Sequence, residues 1–192
     1  YTYEEYDKKT ENIRLVFETP KKEIYLLGNH ADYVFRDRLI FLSLDIISAK
    51  GFYTDDRIIM TVNSSSNVKL EIPSTFIIYK FAGTQEKQKI EVASIRRNLE
   101  NSKIEYSINE NNEKWIFTLK NPIKLSGGLV KLENHDQLLV EAKDKLVNVK
   151  IEAKYKLRHP VAQGMEEALF FFLTPVIVPI GMVIWGWNSL TK

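Results

Sequence analysis

The chain contains no cysteine. Disulfides, thiolate metal sites and cysteine nucleophiles are therefore excluded together. An excess of one charge sign is also missing. Lys and Arg number 27 against 25 Asp and Glu, a formal net charge of +2, which argues against a dedicated nucleic-acid binder that neutralises many phosphates. Histidine is scarce, at three residues, and no His-x-x-x-His or comparable ligand spacing exists. The chain has no Gly-x-Ser-x-Gly elbow and no phosphate-cradling Gly-rich loop. Asp55 and Asp56 lack the ordered set of oxygen ligands that a calcium loop requires. No internal repeat, low-complexity tract or parallel βαβ alternation occurs, which removes the usual nucleotide-binding architectures. Neither a metal nor a cofactor is expected.

Long apolar runs are absent as well, with one exception. ALFFFLTPVIVPIGMVIWGW, Ala168 to Trp187, carries no Asp, Glu, Lys, Arg or His. At about 1.5 Å per residue, a helix of that length spans roughly 30 Å, the hydrocarbon thickness of a bilayer. Glu166 and Glu167 precede it, Lys192 follows it, and Trp185 and Trp187 stand where an aromatic belt would lie. Ala168, Phe170, Phe171 and Phe172 form its opening. Pro175 and Pro179 interrupt it, each removing a backbone donor, although Thr174 can satisfy a freed carbonyl. The reading is a C-terminal membrane segment over 161–192 with its core at 168–187, in the first instance a spanning helix. The alternatives are a kinked, membrane-dipping or partner-buried tail, and a core element of the preceding domain.

Upstream, apolar residues alternate with period two. NIRLVFE and KEIYLLG read as strands flanking the Pro20 turn, and GNHAD as a further turn. RLIFLSLDII reads as a strand buried on both sides. RIIMTV, VKLEI and FIIYKF follow as strands. Thr84 to Asn101 fits both periods and is read as a strand through Ile95 with a short helical turn after it. IEYSI and WIFTL form a hairpin about Asn109 to Asn112, with Trp115 as a core anchor. NPIKLSGG reads as a loop, and LVKL and LLVEA as strands. From Leu146 to Arg158 the alternation is longest, with Val149, Ile151, Ala153, Tyr155 and Leu157 on a dry face. The expected architecture is mainly β, an antiparallel sandwich or barrel-like domain of roughly ten short strands over residues 13–160. Residues 1–12 are expected to be an N-terminal tether. The start at Tyr1 suits a cut or processed chain, with a signal peptide or lipid-modified cysteine ahead of it.

Two constellations bear on function. On the wet face of the last strand lie Lys150, Lys154, Lys156 and Arg158, close before the apolar run. They are candidates for contact with anionic headgroups, against the alternative of a solvated or edge-protecting face. His30 with Asp32, or His135 with Glu133 and Asp136, offers an acid–base pair or ligands, although solvated loop histidines are the simpler reading. His159 precedes Pro160. The charge pattern around the tail favours a cytosolic domain on a tail anchor, whereas a processed start favours export to the periplasm.

The function expected is a non-catalytic β domain, anchored in the membrane as a binding or assembly subunit of a cell-envelope complex. Its partners would be the membrane and other envelope proteins. A second reading is a carrier, with Phe41, Phe76, Phe81 and Phe117 lining a barrel cavity that holds a lipid. The third is an envelope hydrolase using His30 or His135.

Overall fold

The computed structural model describes residues 6–63, 65–156 and 175–176. In chain order the elements open with β1 (Tyr6–Ile13), β2 (Leu15–Glu18), β3 (Ile24–Leu27), β4 (Asp32–Phe35) and helix α1 (Leu39–Ser48). Next come β5 (Phe52–Tyr53), β6 (Ile59–Val62), β7 (Asn67–Ile72), β8 (Thr75–Tyr79) and helix α2 (Gln85–Asn101). The remainder is β9 (Tyr106–Glu110), β10 (Lys114–Leu119), β11 (Ile123–Leu132), α3 (His135–Glu141), a 3-10 turn at Lys143–Lys145, β12 (Val149–Lys156) and β13 (Pro175–Val176).

The fold is mainly β, as the alternation requires, and its strands form two sheets. The larger runs β1-β12-β6-β7-β11-β4-β3-β2, with β13 beside β11; the smaller runs β5-β8-β10-β9. Most pairings are antiparallel, but β12 lies parallel to β6. The two ends of the larger sheet, β1 and β2, are separated in sequence by Arg14 alone. A sheet whose opposite edges are joined by one residue must curl until they meet, so it forms a half-barrel. Backbone bonds from Arg14 N–H to Leu27 O and from Val147 N–H to Arg14 O fix that corner.

Helix α1 packs into the core against β11, β12, α2 and β5. Its sequence was expected to be a strand because Ile40, Leu42, Leu44 and Ile46 alternate. The intervening Leu39, Phe41 and Ile47 also pack on the core, and a continuous apolar run cannot be told from a buried helix by period alone. Asp37 accepts from the Leu39 N–H at the start, and the Ser43 hydroxyl is absorbed by Leu39 O one turn back. The second correction is α2. Val92, Ile95 and Leu99 are buried at helical spacing, whereas Ile90, which a strand would have turned inward, is 53% exposed. A third is α3, read as the strand LLVEA; Leu138 and Ala142 cover a second apolar cluster while Val140 faces solvent. That cluster lies on Leu15, Phe17, Tyr25 and Leu27, so β2 and β3 are buried on both faces.

The stretch NPIKLSGG, expected as a loop, runs into β11. Gly127 is there for closeness of approach. A Cβ on it would lie 2.5 Å from Val34 O and 2.7 Å from the Phe35 ring, so the glycine lets β4 pack against β11. The hairpin of β9 and β10 forms as expected, with Trp115 buried. Val149, Ile151, Ala153 and Tyr155 form the dry face of β12. From the stretch expected to be a tether, Tyr6 to Asn12 belong to β1, paired along its length with β12.

The apolar run 168–187 lies outside the described residues except at Pro175–Val176. There the chain is extended and pairs in parallel with Lys131–Leu132, so the described backbone does not support an uninterrupted helix. Proline lacks the N–H a helix interior requires. Among the described residues, no helix is long and apolar enough to cross a membrane.

Candidate functional site

The register of the larger sheet brings together lysines that are distant in sequence. Lys8 on β1 stands opposite Lys154, Lys154 opposite Thr61, and Thr61 opposite Lys69 on β7. At about 4.8 Å per strand step, three lysines fall in one row roughly 15 Å long. Lys150 and Lys156 flank Lys154 on the same face of β12. The carboxylates on this face are already matched, Glu152 by Arg57 at 3.3 Å and Glu71 by Lys124 at 3.8 Å. Among the described residues, Lys8, Lys69, Lys150 and Lys154 have no ion pair. Sequence reasoning found Lys150, Lys154 and Lys156 but missed Lys8 and Lys69, which join the face only through strand pairing. Arg158 lies outside the described residues, as do Ala168, Phe170, Phe171, Phe172, Pro179, Trp185, Trp187 and His159. Pro175 is described in its backbone alone.

The inner face of β1 is unusual. Its inward positions include Asp7, Lys9 and Glu11, and Glu11 is completely buried. Tyr33 Oη donates to Glu11 Oε2 at 2.7 Å, and the Tyr155 hydroxyl lies 3.2 Å from the same oxygen and 2.6 Å from Tyr33 Oη. The backbone N–H groups of His30 and Asn12 donate to Oε1 at 3.0 and 3.2 Å. Three donors address the carboxyl directly and the Tyr155 hydroxyl is shared between Tyr33 and Glu11, so this buried polar group is hydrogen-bonded on both oxygens. Burial, then Tyr155 and Glu11, push the Tyr33 phenol far above its ordinary range, and burial and Glu11 push Tyr155 up against the opposing hydrogen bond with Tyr33, so both stay protonated and can donate.

Next to this network, the two histidines that were candidates in the sequence line one cleft. His30 and His135 line a single open cleft of about 320 Å³ with Asp32, Lys131, Glu133 and Asp136. His135 Nδ1 lies 2.8 Å from Asp32 Oδ1, with Asp32 buried and His135 about a quarter exposed. The hydrogen bond to Asp32 raises the imidazole above the ordinary histidine range, against the opposing pull of desolvation. Burial pushes the Asp32 carboxyl up, and His135 pulls it down. This contact ties the first residue of α3 to β4 and so seats the helix over the second apolar cluster.

The cleft presents no hydroxyl or thiol side chain beside the pair, and among the described residues no group of three or more His, Asp and Glu is placed to hold a metal. The four phenylalanines of the carrier reading differ in their surroundings. Phe76 and Phe117 stack in the core at 4.8 Å, Phe41 packs against that core, and Phe81 is exposed. Comparison of the chain with protein-family models, with curated proteins and with solved structures finds no match.

Proposed function

We propose that this chain is a non-catalytic β domain held at a membrane through residues 168–187, serving as a binding or assembly subunit of a cell-envelope complex. The observation that carries the reading is the uncharged apolar run, the one stretch whose length matches a bilayer. Insertion draws Pro175–Val176 out of its pairing with Lys131–Leu132 and places the prolines and Thr174 in lipid or against other membrane segments, where Gly181 and Gly186 leave room for close approach. The β domain stands outside the bilayer, on the periplasmic side in this reading.

Two features support binding over chemistry or carriage. The Asp32–His135 pair has a structural task in seating α3, and the phenylalanines fill the core or face solvent. The test is intact mass spectrometry of the chain extracted gently from its native membrane. Stoichiometric partner proteins are the expected result. A lone chain carrying one bound lipid would transfer the reading to a carrier, and a chain recovered without membrane would refute it.

A further inference from the structure

The basic row deepens the membrane reading, on which this inference rests. We propose that the outer face of β1, β12, β6 and β7 lies against an anionic lipid surface, with Lys8, Lys69 and Lys154 as its central contacts.

Three observations converge. The face carries unopposed positive charge: its two carboxylates are matched by Arg57 and Lys124, while Lys8, Lys69, Lys150 and Lys154 are not consumed by ion pairs among the described residues. The charge is local, since the whole chain carries a formal net charge of only +2; a patch of this size complements headgroups better than a phosphate backbone that demands many contacts. The third observation is topological. Strands β11 and β12 run in the same direction, because β12 is parallel to β6 while β6–β7 and β7–β11 are antiparallel. Lys156 therefore ends β12 at the same end of the sheet at which Lys131–Leu132 pair with Pro175–Val176 of the apolar run. The basic face and the described part of the run lie toward the same end of the larger sheet, so both can engage a bilayer together. The run supplies attachment irrespective of lipid charge, and the lysines supply selectivity and orientation.

The experiment uses the full chain on phosphatidylcholine vesicles and on vesicles of phosphatidylcholine with phosphatidylglycerol. Association is read by sedimentation, and burial of the face by the rate at which a water-soluble amine reagent acylates individual lysines. Slower labelling of Lys8, Lys69 and Lys154 on anionic than on neutral vesicles is expected, with Lys21, Lys87 and Lys143 unchanged. The triple variant Lys8→Gln, Lys69→Gln, Lys154→Gln should lose about a hundredfold of the preference for anionic vesicles, at roughly fivefold per lysine. The control Lys21→Gln, Lys87→Gln, Lys143→Gln removes the same charge from other exposed sites and should keep it. Circular dichroism verifies that both variants fold.

Equal labelling on the two vesicle types, or equal loss in variant and control, would overturn the proposal while leaving attachment by the apolar run intact. Anionic vesicles bound and neutral ones not would support the face and refute attachment by the run. Retention of a single-stranded oligonucleotide in preference to vesicles, lost in the triple variant, would assign the face to nucleic acid and overturn the lipid assignment.

Discussion

Asp45 sits half-buried near the C-terminal end of α1, where the helix dipole also disfavours a negative charge. Its partner is neutral: Asn98 Nδ2 on α2 donates to Oδ2 at 3.1 Å. Burial pushes the carboxyl up to about 6, and the Asn98 hydrogen bond only partly opposes it. A folded pKa above the unfolded value near 3.9 means that the native state holds the proton more tightly. The contribution of Asp45 to stability is then fullest at low pH, declines as pH rises between about 4 and 6, and stays lost above that. A rise of that size corresponds to about 3 kcal/mol, an upper bound given the residue's partial exposure. Asp45→Asn removes the ionisation and keeps an oxygen for Asn98. The variant should be more stable than the parent by about 2 kcal/mol at pH 7.5, equivalent to roughly 4–8 °C in Tm. The gap should nearly close by pH 4. Urea unfolding of both proteins, followed by far-UV circular dichroism across that range, gives the two curves. A variant no more stable than the parent at pH 7.5, or a gap that does not vary with pH, would refute the argument.

Other consequences follow from the buried network and the cleft. In Gly28→Ala the new Cβ would lie 2.5 Å from the Glu11 carboxyl and 2.6 Å from Ala31 O; a loss of about 1–3 kcal/mol is expected in urea unfolding. Tyr33→Phe removes the shortest hydrogen bond to Glu11 and should cost about 1.5–3 kcal/mol by the same assay. Asp32→Asn should lower the His135 titration midpoint followed by NMR, because the carboxylate is the largest cause of its raised pKa. With that pKa raised, the stabilising contribution of His135 is full below the ordinary histidine range and fades as pH rises through the folded value.

Strands whose two faces differ were legible from the sequence. The dry face of β12 and the hairpin of β9 and β10 stand as expected, because each alternates one buried and one wet side. Where burial is nearly all-round, as in α1, alternation and helical period become indistinguishable. Strand β1 was hidden for the opposite reason: its inward positions Asp7, Lys9 and Glu11 are polar, and only the folded network of Tyr33 and Tyr155 explains a carboxylate there. The Gly127–Gly128 pair carried the signature of a turn, but both lie in β11 and Gly127 serves close strand packing. His30 and His135 gave no local sign of sharing a cleft, since the strands that bring them together lie far apart in sequence. Lys8 and Lys69 were invisible as part of a basic face for the same reason.

The central claim is attachment through the apolar run, and alkaline carbonate extraction of native membranes tests it most directly. High pH neutralises lysines and strips proteins held by charge alone, so retention reads insertion. The parent chain should remain in the membrane pellet, and Phe171→Asp with Val183→Asp should release it to the supernatant. A parent chain released as fully as this variant would contradict the account.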